Sequence, residues 1–281
     1  CYDMYVKERN SQFDYYAVTL SLESHQISYH FRIEKRGELI CYNRQGVVDV
    51  INPYFDFCII PGFHTPAWAK GAVMYQIFVD RFYNGDSSND VVDREYSYIG
   101  EPVTRVKDWN KMPASMGVRE FYGGDLKGIW EKLDYLQDLG VEVLYLNPIF
   151  VSPSNHKYDT QDYDYVDPHY GVITKDGGEV LPEGDLDNSH AERYIQRVVN
   201  KENLEASNAF FASFVEEVHK RGMKVILDGV FNHCGSFNKW LDRERIYENQ
   251  EGYEKGAYIA EDSPYLSLIH ISEPTRLGMI S

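Results

Sequence analysis

The sequence has little positive charge, few cysteines and no long apolar run, and each shortage excludes a class of protein. Its 281 residues carry 28 Lys and Arg against 44 Asp and Glu, a net charge of −16. Such a charge repels nucleic-acid phosphates and anionic lipid heads, so we expect neither nucleic acid nor a membrane as a partner. No apolar run approaches the roughly 18 residues of a membrane-spanning helix. The four cysteines form no CxxC pair, which argues against a disulfide scaffold or a structural zinc site.

Apolar and aromatic residues are plentiful enough for a folded protein. Hydrophobic residues make up 43% of the chain, too many for a disordered segment. At roughly 100–200 residues per domain, the length predicts about two domains. The 23 tyrosines offer flat apolar faces with polar edges that suit sugar rings, although most of them are explained more simply as packing residues.

The first 62 residues have the pattern of an antiparallel β domain. Between Gln26 and Glu34, apolar and polar residues alternate with the period of two that a half-buried strand requires. Apolar segments separated by turn signals predict further strands at 13–20, 39–43, 47–52 and 54–60. We therefore predict part of a β-sandwich over residues 1–62.

From Val73 onward the pattern changes to alternating strands and helices. Apolar runs predict parallel strands, buried on both faces, at 73–79, 141–146 and 223–227. Apolar residues at helical spacing predict one helix over 126–139, with Asp125 as its N-cap, and another around 210–218. This order indicates a parallel sheet with right-handed crossovers.

Two parallel architectures compete for this segment. A dinucleotide-binding fold needs a glycine-rich turn after its first strand, and the sequence contains neither GxGxxG nor GxxxxGK[ST]. Long polar loops after the strands instead suit a (β/α)8 barrel, whose sites lie at the C-terminal ends of its strands. We predict an α/β fold, a partial (β/α)8 barrel with about the first three strands, over residues 63–265. A complete barrel takes roughly 250 residues.

Both ends of the sequence carry an expectation of their own. The chain begins at Cys1 inside strand-like sequence, and we expect that residues before it are missing. The last sixteen residues contain one acid, no aromatic residue and no turn signal. They look like an in-frame translation of a sequencing-library adapter. We therefore predict that 266–281 is a non-native tail and that the barrel is cut short before it.

Three polar clusters follow the predicted barrel strands. Asp228 comes directly after the third strand, where a carboxylate costs desolvation unless it binds a ligand or caps the next loop. Tyr158, after the second strand, either packs its loop or offers an aromatic platform to a sugar ring. The oxygen-rich segment 84–90 suits either a solvated turn or Ca²⁺, which takes about 6–8 oxygen ligands.

Five motifs taken together resemble the α-amylase family, glycoside hydrolase family 13, and most of all its neopullulanase, cyclomaltodextrinase and amylopullulanase branch. They are AKGAVMYQIFVDRF at 69–82, FYGGDLKGI at 121–129, NPIF at 147–150, SNHKYDT at 154–160 and DGVFNH at 228–233. The combination, in the family's order and spacing, is far more specific than any single motif. The resemblance implies a retaining hydrolase or transglycosylase that acts on α-1,4 or α-1,6 glucosidic bonds of starch, pullulan or cyclodextrins. It also implies a starch-binding-type β-sandwich at 1–62.

The resemblance assigns roles to individual residues. Tyr158 matches the tyrosine that stacks on the sugar at the cleavage point, and His156 matches its hydrogen-bonding neighbour. Asp228 and His233 match residues that bind the same sugar, and Asn232 matches one that supports the following loop. Calcium is a structural cofactor in this branch, and the positions that match its ligands are Asn84, Asp86, Asn89, Asp90, the Gly123 carbonyl and Asp125.

No catalytic carboxylate is predicted in this chain. A retaining glycosidase needs a nucleophilic carboxylate and a carboxylic acid about 5–5.5 Å apart. The family places them after the fourth and fifth barrel strands, which we do not expect here, so we predict that the chain alone is inactive. A non-catalytic sugar-binding or structural relative is the alternative, although retention of the whole sugar-binding set argues against it. Linkage preference, cellular location and a homodimer of the whole protein stay open.

Overall fold

The computed structural model describes residues 1–21, 26–35 and 37–266 of the chain. Its residue contacts divide the chain into two compact units, Cys1–Lys70 and Gly71–Ser281. The predicted domain limits at 62 and 265 stay a prediction. Apart from Leu266, the predicted tail lies outside the described residues.

The first unit is built from short antiparallel strands. They are β1 (Tyr5–Arg9), β2 (Asp14–Ala17), β3 (Ile27–Tyr29), β4 (Phe31–Lys35), β5 (Glu38–Asn43), β6 (Gly46–Val48) and β7 (Phe57–Ile59). β1 pairs with β2, β3 pairs with β7, and β5 lies between β4 and β6. The single strand predicted from Gln26 to Glu34 is split at His30, and its halves join different sheets. Ile33 is therefore 50% exposed, whereas Tyr29 packs against Phe57 with ring centroids 5.4 Å apart.

The second unit mixes strands and helices. Its strands are β8 (Met74–Ile77), β9 (Ser97–Tyr98), β10 (Glu101–Pro102), β11 (Thr104–Arg105), β12 (Glu120–Phe121), β13 (Val143–Leu146), β14 (Phe150–Val151), β15 (Asp162–Val166) and β16 (Lys224–Leu227). Its helices are α1 (Leu126–Glu131), α2 (Leu133–Asp138), α3 (Glu192–Val199) and α4 (Lys201–Lys220). Among the residues that the structure describes, no helix is long and apolar enough to cross a membrane.

The three predicted parallel strands form one sheet, with β13 between β8 and β16. Ile77, Leu146 and Leu227 are paired at one level, so the residues that follow these strands emerge at a common edge. Burial on both faces is confined to the central strand, where Leu144 is fully buried, because β8 and β16 each have a single neighbour in the described sheet. Met74 on β8 is accordingly 45% exposed.

The helices bury their apolar faces in a core beside this sheet. The predicted helix over 126–139 forms but is interrupted at Lys132, which separates α1 from α2. Asp125 caps it as predicted, since its side chain accepts a hydrogen bond from the Gly128 amide at 2.6 Å. α4 is longer than predicted, and α3 was not predicted. The fully buried core side chains contributed by α1, α2, β13 and α4 include Leu126, Ile129, Leu133, Leu136, Leu144, Phe214 and Val218.

Candidate functional site

Asp228 lies at the C-terminal edge of the parallel sheet. It follows the last residue of β16, and its amide donates a hydrogen bond to the Leu146 carbonyl of the neighbouring strand at 3.0 Å. The residue is half-buried. Its carboxylate therefore stands where barrel enzymes place their binding groups, above the ends of the strands.

Tyr158 reaches this carboxylate from the loop after β14. Its hydroxyl donates a hydrogen bond to Asp228 Oδ2. Burial and this bond to a carboxylate raise the pKa of the Tyr158 hydroxyl, so it stays a donor. Tyr145 on β13, which the sequence reasoning missed, also lies beside Asp228, and burial and the carboxylate raise the pKa of its phenol. Tyr145 was missed because it lies within the apolar run that forms β13.

The two predicted histidines flank Tyr158. The rings of His156 and Tyr158 lie 6.0 Å apart between centroids, and the Tyr158 amide donates to His156 Nδ1 at 3.1 Å. Burial lowers the pKa of His156, so the neutral ring can accept this bond. His233 Nε2 donates to the Tyr158 carbonyl at 3.0 Å, and Asn232 Nδ2 donates to His233 Nδ1 at 3.2 Å. All four predicted sugar-binding residues thus come together, with Asn232 behind them.

A further tyrosine braces the same loops. The Tyr163 hydroxyl lies 2.9 Å from the Val230 carbonyl and 2.8 Å from the His233 carbonyl. Its ring stacks on Trp240 with centroids 5.6 Å apart. These contacts agree with the interpretation of Tyr163 as a packing residue.

The oxygen-rich loop folds onto the start of α1. The Asp125 carboxylate accepts hydrogen bonds from the amides of Gly85 at 3.1 Å and Asp86 at 2.8 Å, besides its cap to α1. Asn84 Nδ2 donates to Asp90 Oδ1 at 2.7 Å, and Arg105 pairs with Asp90 Oδ2 at 2.6 Å. The Asp86 carboxylate accepts from the Ser88 amide, close to the surface.

Three observations bear on whether this loop suits a cation. Asn89 Oδ1 is buried without a hydrogen-bond partner, which leaves an oxygen ligand available. Gly123, at φ +80°, brings the backbone so close that an added Cβ would lie 2.2 Å from Asp90 Oδ1. Burial raises the pKa of Asp125 to about 6, and it raises that of Asp90 even though Arg105 pairs with this carboxylate. One oxygen is thus free for a cation, whereas the described part of the chain contains no cluster of three or more His, Cys, Asp or Glu suited to a metal.

Behind the Tyr158 loop lies a row of buried charges that the sequence reasoning did not find. It comprises Lys157, Asp167, His169, Glu95 and Arg197, each at most 4% exposed at the side chain. No spacing pattern marks it, because its members come from distant segments. The one hint in the sequence was the position of Lys157 between His156 and Tyr158, two predicted site residues.

Comparison with known proteins places these features in a family. The model of the α-amylase catalytic domain matches residues 76–179 and 206–274, and that of the α-amylase N-terminal ig-like domain matches residues 2–60. The predicted fold class, a partial barrel preceded by a partial β-sandwich, is thereby confirmed.

Several curated relatives are similar over most of the chain. An amylopullulanase from Thermoanaerobacter thermohydrosulfuricus is 36% identical, with 85% of this chain and 15% of the relative covered. A cyclomaltodextrinase from Thermoanaerobacter pseudethanolicus is 34% identical, with 83% and 33% covered. Neopullulanase 2 from Thermoactinomyces vulgaris is 34% identical, with 91% and 36% covered. The chain therefore spans about a third of the length of the latter two relatives and less of the first.

A solved structure agrees with these matches. The type III pullulan hydrolase from Thermococcus kodakarensis aligns with a TM-score of 0.50 and 28% sequence identity, over 87% of this chain and 35% of that protein. The matched catalytic-domain model spans more than half of the chain and includes all four residues gathered around Asp228. The chain belongs to the α-amylase family.

Proposed function

We propose that the protein to which this chain belongs is a retaining glycoside hydrolase or transglycosylase that acts on α-1,4 or α-1,6 glucosidic bonds of starch-derived glucans. The observation that carries the proposal is the convergence of Tyr158, His156, Asp228 and His233 at the C-terminal edge of the parallel sheet. Relatives named amylopullulanase, cyclomaltodextrinase and neopullulanase support this choice of substrate class.

In this proposal the four side chains form one subsite for a glucose ring. Tyr158 presents its aromatic face to the apolar face of the sugar, and Asp228 accepts hydrogen bonds from sugar hydroxyls. Neutral His156 accepts the Tyr158 amide at Nδ1, so its Nε2 proton is available to the sugar. His233 exchanges its bond to the Tyr158 carbonyl for a sugar hydroxyl, while Asn232 keeps its ring in place.

The proposal assigns no residue of this chain as nucleophile or general acid. Three acids near the site are engaged in loop structure. Asp159 accepts hydrogen bonds from serine hydroxyls, Asp162 pairs with Lys239 at 2.7 Å, and Asp167 pairs with Lys157 at 2.6 Å. These contacts support the interpretation of the acids as structural.

We also propose that the oxygen-rich loop binds calcium. The ion would compensate the charge of the buried Asp125 carboxylate and take the unpartnered Asn89 oxygen as a ligand. Bound there, it would tie the loop before β9 to the N-terminus of α1. The proposed ligands are Asn84, Asp86, Asn89, Asp90, the Gly123 carbonyl and Asp125.

Binding measurements on the 281-residue chain test the subsite. Titration calorimetry should detect maltotriose and β-cyclodextrin but not cellotriose, whose β-linked rings present a different shape. Asp228→Ala should lower the affinity at least tenfold, as expected for loss of a charge-assisted hydrogen bond. Asp138→Ala, an exposed carboxylate on α2, is the matched control and should leave the affinity unchanged. Equal binding of cellotriose, or no glucan binding, would contradict the proposal.

Activity is tested on the complete protein. Reducing-sugar release from pullulan, soluble starch and β-cyclodextrin should be abolished by Asp228→Ala and retained by Asp138→Ala. Retention of the anomeric configuration, followed by NMR in the first minutes of reaction, would separate a retaining enzyme from an inverting one. Glucan binding without turnover would instead favour the non-catalytic relative.

A further inference from the structure

Lys157 is the most unusual residue of the loop that carries His156 and Tyr158. Its backbone lies in the left-handed region at φ +61°, which is strained for a non-glycine residue. Its side chain is only 1% exposed, whereas lysines of ordinary loops extend into water. A strained backbone and a buried charge at one residue call for a compensating role.

Both the side chain and the backbone of Lys157 are fixed. Nζ donates to the Ser152 carbonyl at 2.8 Å and to Asp167 Oδ2 at 2.6 Å. The Lys157 amide donates to Ser154 Oγ at 3.1 Å. Because these bonds fix the left-handed turn, they also fix the direction in which the chain continues to Tyr158.

From Asp167 onward, buried side chains of alternating charge contact one another in a row. The second oxygen of Asp167 lies 2.8 Å from His169 Nδ1, and His169 Nε2 lies 2.7 Å from Glu95. Glu95 accepts from Arg197 at 2.9 Å, and Arg197 reaches Asp176 at the surface at 2.8 Å. Burial by itself would lower the pKa of His169, but the carboxylates of Glu95 and Asp167 outweigh it and raise that pKa. The protonated ring therefore donates to both carboxylates.

Stability alone does not explain such a row. Buried ion pairs lose much of their Coulombic energy to desolvation, and apolar residues of the same size often stabilise a fold as well or better. The best-attested contribution of buried charges is to specify one arrangement among several. Here the row ends at the residue between two sugar-binding candidates.

We propose that Lys157 is a positioning residue, which holds His156 and Tyr158 in the orientation in which Tyr158 meets Asp228, and that the buried charges behind it keep this turn unique. The inference rests on the proposed function for the meaning of the site. The effect of Lys157 on the orientation of Tyr158 can be tested without any ligand.

The first experiment uses the 281-residue chain with 3-fluorotyrosine incorporated at position 158. The labelled chain without further substitutions, called the parent chain here, should give a single fluorine resonance. The double variant Lys157→Met/Asp167→Asn removes both charges and keeps similar side-chain sizes. It should stay folded by circular dichroism but show two or more resonances, because the turn is no longer unique. A single, unshifted resonance in the folded variant would overturn the proposal.

A second variant covers the case in which the double variant does not fold. Lys157→Gly loses the ammonium but adopts the left-handed turn without strain. It should likewise multiply or shift the resonance, and an unchanged spectrum would overturn the proposal. Lys239→Met is the matched control, since Lys239 also pairs with two carboxylates, Asp162 and Asp164, but lies outside this loop. An equal change in this control would show a general effect of charge removal and would also overturn it.

Glucan affinity separates positioning from general stability. Lys157→Gly should weaken maltotriose binding about tenfold in the parent but at most threefold in a Tyr158→Ala background, because Lys157 acts largely through Tyr158. Equal losses in both backgrounds would contradict a positioning role. If the parent chain binds neither maltotriose nor β-cyclodextrin, the proposed function fails, and the fluorine spectra still decide the role of Lys157.

Discussion

The Tyr158 hydroxyl donates a hydrogen bond to the Asp228 carboxylate, which joins two residues seventy positions apart in the sequence. Burial is the largest cause of the raised pKa of the Tyr158 hydroxyl, and the Asp228 carboxylate is the next. The protonation of the Tyr158 hydroxyl therefore depends on the charge of Asp228 at the edge of the sheet.

Replacement of Asp228 by Asn should lower the pKa of the Tyr158 hydroxyl toward its ordinary value. The substitution removes the negative charge that opposes ionisation, while burial continues to act. The measurement is an alkaline titration of a ¹³C label at the Tyr158 phenol by NMR. Asp138→Asn should leave that pKa unchanged, and a pKa equally high in both variants would mean that burial alone sets it.

Calcium should raise the thermal stability of the chain. An ion at about 100 times its dissociation constant contributes about 2.7 kcal/mol, which corresponds to a rise in melting temperature of roughly 5–10 °C for a unit of this size. Asp86→Ala should abolish most of this rise, because it removes a proposed ligand from a half-buried position. Asp138→Ala should preserve it. The same rise in Asp86→Ala, or with Mg²⁺ in place of Ca²⁺, would argue against the assigned ligands.

The free energy of unfolding should fall as the pH rises through the pKa of His169 in the folded state. Glu95 and Asp167 raise the folded pKa of His169 above its ordinary value of about 6.5, and they outweigh burial. Lys157 and Arg197 bind the same two carboxylates from the other side. A raised histidine pKa contributes stability that is fully present below the unfolded pKa and is lost above the folded one.

Urea unfolding between pH 6 and pH 9 measures this slope. His169→Gln should flatten the decline, because glutamine retains hydrogen-bonding capacity but does not titrate. An identical slope in the variant would assign the pH dependence to another group.

Gly128 should be irreplaceable for steric reasons. A Cβ at this position of α1 would lie 1.9 Å from the Tyr83 carbonyl oxygen, a backbone atom that side-chain rotation does not move. We expect Gly128→Ala to destabilise the chain by about 3 kcal/mol or more in urea unfolding. At Gly177 nothing lies within 4 Å of an added Cβ, so Gly177→Ala should be neutral or slightly stabilising. Similar stabilities for the two variants would contradict this account.

The parts of the second unit that follow from local patterns were predictable from the sequence. β8, β13 and β16 are short apolar runs bounded by polar loops, and each lies within its predicted range. Asp125 caps a helix whose apolar spacing is regular. α3 was missed because its apolar residues are embedded in a long polar stretch, and it is stabilised by packing of Tyr194 and Val198 against distant aromatic residues.

The sugar-binding candidates were predictable only through the family resemblance, and the charges behind them were not predictable at all. Spacing places Asp228 at a strand end but does not show that Tyr158 will reach it. The pairing of Glu95 with His169 and with Arg197 joins positions 74 and 102 residues apart. Charged pairs leave no period in a sequence, so the fully buried state of Asp167 has no local signal.

The central position of β13 determines how this unit must assemble. Val143 pairs with Met74 on one side and with Lys224 on the other, partners separated from it by about 70 and 80 positions. Closing loops of that length costs conformational entropy before any strand pairing compensates for it, whereas α4 forms from contacts within a few residues. We therefore expect refolding to be limited by the search that brings β8 and β16 to β13, on a timescale of about milliseconds to seconds, and not by formation of the helices.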